Sequence, residues 1–181
     1  MSKIAGIYWD DTAAAPGISL SVYFSGCYFH CPGCHNPEAW DFNYGEDFTP
    51  ELLNEILNKL QKNGVERRLS ILGGEPLCDG NIAAVATLIE AVKCYYPNTL
   101  IYVWTGYTYE ELLERSKEDE LVKHLLDTSI DVLIDGRFEI DKRDTTLPLR
   151  GSSNQRIINL KELRNGNNDC RNTTNADSGN C

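Results

Sequence analysis

Five short runs rich in β-branched and aromatic residues recur along the chain, at 18–25 (ISLSVYFS), 68–72 (RLSIL), 100–104 (LIYVW), 131–135 (DVLID) and 156–160 (RIINL). Most are near-continuous apolar runs rather than clean alternations, the pattern of strands buried on both faces of a parallel sheet. A weaker leading strand is expected over 4–9. The segments between the runs carry helical signals. Thr49-Pro50-Glu51 supplies a cap, a proline at the first helical position and an acid in the first turn, with Gly64 closing the segment. Leu52, Leu53, Ile56, Leu57 and Leu60 form its apolar face. A second helix is expected over 81–95. A third starts at Thr108, where Glu111 completes a capping box, and 118–128 reads as a fourth.

Strands alternating with helices define βα units. The stretch 165–181 holds six Asn and no Leu, Ile, Val, Phe, Trp, Tyr or Met, so it cannot offset its ordering entropy by burying apolar surface. It is expected to be a disordered Asn-rich tail behind one domain over 1–164. That length suits about five to six βα units and falls short of the roughly 250 residues of a full eight-unit barrel. The expected class is α/β, an incomplete (βα) barrel or open sheet with mostly parallel strands.

A net charge of −10 would repel a phosphate backbone or an anionic lipid surface, so neither nucleic acid nor membrane is an expected partner. No stretch approaches the roughly 20 apolar residues of a membrane helix, and 1–6 has no apolar run behind a basic start. A cytoplasmic location is expected. The seven cysteines are odd in number and uneven in spacing, with Cys27, Cys31 and Cys34 crowded together and Cys78, Cys94, Cys170 and Cys181 scattered. A secreted disulfide framework has a different pattern.

The crowded three follow the first strong strand directly, in Ser25-Gly26-Cys27-Tyr28-Phe29-His30-Cys31-Pro32-Gly33-Cys34-His35-Asn36-Pro37. In parallel α/β folds that strand end holds the active site. Three thiolates at Cys-x3-Cys-x2-Cys spacing can hold a [4Fe-4S] cluster with one iron left open. They can also form part of a structural zinc site, for which His30 or His35 would supply the fourth ligand. A third reading takes Cys31 and Cys34 alone as a thiol–disulfide pair and leaves Cys27 without a role. The next strong strand ends in Gly73-Gly74-Glu75-Pro76. Glycines there let backbone approach a ligand, and a carboxylate or carbonyl accepts from an amine; a tight turn bearing a surface acid is the alternative.

The cysteine triplet followed one βα unit later by Gly-Gly-Glu-Pro resembles the radical S-adenosylmethionine superfamily. Val103-Trp104-Thr105-Gly106-Tyr107, Asp131 to Phe138 (DVLIDGRF) and Arg150 to Arg156 (RGSSNQR) narrow the likeness. With Ser25-Gly26-Cys27 and Cys31-Pro-Gly-Cys34-His35-Asn36 they resemble the activating proteins of anaerobic ribonucleoside-triphosphate reductases, over roughly residues 4 to 162. Gly33 stands where many superfamily members carry an aromatic residue, which separates the chain from pyruvate formate-lyase activases. Ser19 stands where the resemblance calls for arginine, after Ala15-Pro16-Gly17-Ile18 in place of Gly-Pro-Gly-Ile/Thr.

The resemblance implies an oxidoreductase in which Cys27, Cys31 and Cys34 hold a [4Fe-4S] cluster and S-adenosyl-L-methionine occupies the open iron. Cleavage of that cofactor gives a 5′-deoxyadenosyl radical, which takes hydrogen from a glycine of the reductase. Gly33, Cys34 and His35 are then placed against the adenosine, and Gly73, Gly74 and Glu75 against the methionine amine. Thr105, with Tyr107 beside it, suits a ribose contact. Asp135 and Arg137, two apart at a strand end, share a face toward cofactor or substrate peptide, or form a surface ion pair. Ser152, Ser153 and Asn154 line the pocket, receive the partner's glycine segment, or form a plain polar loop. The implied partners are the large subunit of the reductase and a flavodoxin or ferredoxin-like electron donor. Activation of another glycyl-radical enzyme and a small zinc-binding module remain the alternatives. His30 and His124 have no evident partners, and Cys78 and Cys94 read as small buried residues.

Overall fold

The computed structural model describes residues 1–172. A seven-stranded sheet runs through it in the order β3-β1-β2-β4-β5-β6-β7, with β1 Lys3–Asp11, β2 Ser19–Phe24, β3 Glu46–Asp47, β4 Arg68–Gly73, β5 Ile101–Trp104, β6 Val132–Asp135 and β7 Arg156–Asn159. Strands β2, β4, β5 and β6 are parallel neighbours, while β1 and β7 run antiparallel on either flank. The largely parallel α/β character expected from the sequence is present.

The unit count is smaller than the five or six expected. Among the described residues three crossovers return to a parallel strand, β2 to β4, β4 to β5 and β5 to β6. The connection from β6 to β7 holds a single short turn of helix, Ile140–Lys142, and β7 comes back antiparallel. A parallel return is usually carried by a helix packed on the sheet, and 136–155 forms none longer than that turn.

The helices are α1 Pro50–Leu60, α2 Ile82–Tyr95, α3 Tyr109–Arg115, α4 Glu120–His124 and α5 Leu160–Asn172. Thr49 caps α1 by accepting from Leu52 N, and Pro50 occupies its first position. Thr108 and Glu111 form the expected capping box of α3. Helix α4 starts later than expected because the Asp119 carboxylate takes the N–H groups of Leu121 and Val122, and it runs on into a wider turn over Leu125–Ser129. Helix α5 continues past residue 164, so 165–172 are helical backbone. The rest of the expected tail, 173–181, lies outside the described residues.

All five helices contribute to one apolar cluster. Ile56, Leu60, Val85, Ile89, Leu112, Val122 and Leu160 meet Leu20, Val22, Phe24, Leu69, Ile71, Val103 and Leu133 of the sheet. Successive strand residues face opposite ways, so Ser19, Ser21, Ser70, Tyr102, Trp104 and Ile134 lie on the other face, which carries no helix. There a small cluster of Ala15, Tyr102, Val132 and Ile134 packs with Leu149, and Ser70 Oγ donates to Ala14 O at 3.0 Å. Among the described residues no helix is long and apolar enough to cross a membrane.

Candidate metal centre

The cysteine loop leaves the C-terminal end of β2 and is held by its neighbours before any thiol is considered. Gly26 N donates to Ala39 O at 2.8 Å and Cys27 N to Trp40 O at 3.1 Å, so the loop folds back on itself. From the next strand, Gly74 N donates to Phe24 O at 2.7 Å and Glu75 N to Gly26 O at 2.8 Å. A Cβ on Gly74 would stand 2.5 Å from Gly26 O, so glycine at 74 is required by the close stacking of one strand end on the other. A residue with no distinguishing sequence signal completes the junction. Asn81, buried at the start of α2, donates to Ser25 O at 2.8 Å and Glu75 O at 3.1 Å rather than capping its own helix. An Asn at a helix start reads as a cap, which masked this role.

Cys27, Cys31 and Cys34 are all free thiols, Cys27 buried and the other two half-buried. Burial pushes the Cys27 thiol up, against N–H groups of Phe29 and His30 that favour its thiolate. Burial likewise raises Cys31, opposed by the Phe138 N–H and the charge of Arg137. Asn36 N lies 3.5 Å from Cys34 Sγ. Cys34 Sγ thus has a backbone N–H in range, the kind of donor that stabilises a metal-bound thiolate and tunes an iron–sulfur cluster. Among the described residues no three His, Cys, Asp or Glu side chains converge on a point that would hold a single metal ion. His30 is exposed with its ring stacked on Trp40 at 4.8 Å, and His35 is exposed. The donor set, three thiols in one loop, fits a cluster.

Glu75 is 1% exposed. Its Oε1 accepts from Thr105 Oγ1 at 2.7 Å and Leu77 N at 2.9 Å, and its Oε2 accepts from Gly106 N at 2.6 Å. Burial pushes its pKa up to about 7, against the pull of those donors. Glu75 and Thr105 are thus brought together, and their first contact is with each other, tying the end of β4 to the end of β5. Tyr107 N donates to Thr105 Oγ1 at 3.1 Å.

Asp135 and Arg137 part company. Asp135, 1% exposed, accepts from Tyr109 N at 2.7 Å and takes the guanidinium of Arg156 on both oxygens. Arg137 directs Nη1 to both carboxylate oxygens of Glu111 at 3.1 Å and lays its guanidinium over the Phe29 ring at 4.3 Å. Sequence reasoning missed Arg156, Glu111 and Phe29; the period-2 rule put 135 and 137 on one face, but the chain turns at Gly136, where φ is +97°. Gly33 also has a positive φ, +73°, and packs by Ile140. The 152–155 loop braces this corner: Asn154 Nδ2 donates to Arg137 O at 2.8 Å and Gln155 Nε2 to Gly136 O at 3.0 Å, while buried Ser152 accepts from Glu139 N at 3.2 Å. Ser153 is exposed.

Away from the centre, Cys78 is buried as expected but Cys94 is exposed, on the outer side of α2. His124 does have partners, with Nε2 2.7 Å from Glu90 Oε1; the contact joins α4 to α2 and no local pattern announces it.

A strand-end cysteine loop backed by N–H donors on a largely parallel sheet defines a single-cluster iron–sulfur protein, and the family described as 4Fe-4S single cluster domain matches residues 13–158. The anaerobic ribonucleoside-triphosphate reductase-activating protein of Pasteurella multocida is 39% identical over 156 residues, 86% of this chain and 96% of that protein. The Vibrio cholerae protein of the same name is 38% identical over 81% of this chain and 91% of its own length. The Escherichia coli one is 35% identical over 83% of this chain and 94% of its own. The chain belongs to the family of anaerobic ribonucleoside-triphosphate reductase-activating proteins.

Proposed function

We propose that this protein is an oxidoreductase of the radical S-adenosylmethionine kind that installs a glycyl radical in an anaerobic ribonucleoside-triphosphate reductase, its large subunit being the protein substrate. Cys27, Cys31 and Cys34 would hold a [4Fe-4S] cluster. The chemistry such a cluster would supply there is one electron for splitting S-adenosyl-L-methionine into methionine and a 5′-deoxyadenosyl radical able to take hydrogen from a glycine. The observation that carries this reading is the packing of three free thiols into one loop at the C-terminal edge of the parallel strands.

The chain's own residues have defined tasks in this reading. The N–H groups of Phe29, His30 and Phe138 stabilise thiolate charge. Gly33, Cys34 and His35 offer backbone to the adenosine. Gly73 and Gly74 present bare backbone to the methionine amine, and Glu75 holds that segment against Thr105 and Gly106, leaving Thr105 within reach of the ribose. Arg137, with 42% of its side chain exposed, faces the cofactor carboxylate, and Asp135 sets the corner from which it projects. The sheet is read as an incomplete barrel. Its support is that the helices share one face of a largely parallel sheet. The electron comes from a flavodoxin or ferredoxin-like donor, in the cytoplasm.

The test is anaerobic reconstitution with iron and sulfide, then dithionite and S-adenosylmethionine, with 5′-deoxyadenosine measured for wild type and Cys31→Ala. The expected result is a brown protein whose product is lost in the variant, and an organic radical seen by EPR when the reductase is added. A colourless protein that binds zinc and yields no 5′-deoxyadenosine overturns the reading.

A further inference from the structure

Phe29 is the central residue of the segment between Cys27 and Cys31, and its ring is clamped. The edge of Tyr107 meets it at a centroid distance of 4.8 Å. Gly106 forms the floor, where a Cβ would come within 2.4 Å of the ring. The Arg137 guanidinium closes the third side at 4.3 Å, a cation–π stack that a flat guanidinium makes better than an ammonium. Arg137 is itself fixed at both ends. Its fork rests on Glu111, which is locked by accepting from Thr108 N at 2.7 Å in the α3 capping box. Its carbonyl is tied to Asn154.

The segment that carries Arg137 also meets the cysteine loop beyond Cys31, where a Cβ on Gly33 would come within 2.7 Å of Ile140 and 3.5 Å of Phe138, so the guanidinium is held against the loop that brackets Cys31. A positive charge beside a thiolate-bound cluster favours the form with one more electron, because reduction adds a negative charge to the centre. Glu111 opposes that charge at 3.1 Å.

We propose that Arg137 is a positioning residue for the cluster: it holds the cysteine loop through Phe29, and the Arg137–Glu111 pair sets the reduction potential of the centre that Cys31 ligates. This rests on the reading of Cys27, Cys31 and Cys34 given above.

The experiment is a potentiometric titration of the reconstituted, cofactor-free cluster, followed by EPR. Omitting S-adenosylmethionine removes any contribution from direct contact between Arg137 and the cofactor. Arg137→Gln removes the cation and leaves Glu111 unopposed, so the reduced-to-oxidised ratio at fixed potential falls about tenfold, a shift of about 59 mV to lower potential for a one-electron couple. Glu111→Gln keeps the capping box, since glutamine serves there too, and frees the cation, so the potential rises. Arg137→Lys retains the charge but not the flat stack. Its ratio stays within about twofold of wild type while iron is lost faster to a chelator, as a loosened loop requires. General loosening of the fold cannot move the two glutamine variants in opposite directions. Shifts of the same sign, or none, overturn the proposal, as does an Arg137→Lys shift as large as that of Arg137→Gln. If Arg137→Gln does not fold, the sign of the Glu111→Gln shift alone decides. A wild type that takes up no cluster overturns the functional reading instead.

Discussion

Asp135 and Arg156 face each other as register partners across the antiparallel β6–β7 ladder, with Arg156 Nε 3.0 Å from Asp135 Oδ1 and Nη2 on Oδ2. Asp135 is 1% exposed while Arg156 is half-exposed and also reaches Glu110. The contact fastens the antiparallel strand β7 on this flank and, through Tyr109 N, the start of α3. Arg156→Leu leaves a buried carboxylate with a single donor. The expected loss is about 2 kcal/mol of folding stability, at the lower end for breaking a buried ion pair because one partner reaches solvent. Urea unfolding of the metal-free protein measures it, and a loss below about 0.5 kcal/mol would show that water replaces the guanidinium at no cost.

Glu75 gives the metal-free protein a pH dependence of definite sign. Its folded pKa is raised from 4.5 to about 7, so between those values the folded state binds more protons than the unfolded one, and stability falls as pH rises through that window. The favourable contribution is complete below about 4.5 and absent above about 7. At 1.36 kcal/mol per pKa unit the span is on the order of 3 kcal/mol. Glu75→Gln removes the titration, so its unfolding free energy changes less between pH 5 and pH 8 than that of wild type. Parallel pH profiles for the two proteins would overturn the assignment.

Asn81 ties the cysteine loop to the Gly-Gly-Glu-Pro segment through two buried carbonyls, Ser25 O and Glu75 O. Asn81→Ala strands Ser25 O and leaves Glu75 O with the Cys78 N–H at 3.3 Å. The expected cost is about 2 kcal/mol, and because the two loops then move independently, iron uptake per chain during reconstitution falls as well. Iron content together with a urea midpoint checks both parts; a destabilised variant that still loads its full iron would separate Asn81 from the centre.

How far the sequence discloses this molecule depends on the range of the interactions. The central strands and the starts of α1 and α3 are legible because their causes are local: apolar runs, Pro50 after Thr49, Glu111 three residues after Thr108. The cysteine loop is legible for the same reason, since its spacing is its chemistry. Arg156, Asn81 and the Phe29 clamp are not, because each joins segments far apart in the chain and takes effect only through the sheet order. Asp135 and Arg137 sit two apart in sequence yet serve different partners, since a single positive-φ glycine between them breaks the strand period. Strand direction at the end of the sheet was equally hidden, for nothing in 156–160 states that it pairs antiparallel.

Ser19 stands where the resemblance calls for arginine, and its register partner on β4 is Arg68. Paired residues of a parallel ladder project from the same face, here the face opposite the helices. Ser19 is fully buried and donates to Asp11 O at 3.1 Å, while the Arg68 guanidinium fills the space above Gly17, where a Cβ would meet Nη1 at 2.5 Å. One guanidinium thus occupies this level of the sheet, delivered from the neighbouring strand. Ser19→Arg alone places two cations side by side in a confined site and destabilises the protein, and Arg68→Ser alone leaves the space empty. The double variant Ser19→Arg with Arg68→Ser restores a single guanidinium and recovers part of both losses. The coupling in a double-mutant cycle is therefore expected at about 1 kcal/mol or more, within the usual range for residues in contact. Unfolding free energies of the four proteins give it directly. Losses that add to within about 0.3 kcal/mol would mean that Arg68 does not stand in for the arginine the resemblance calls for at 19.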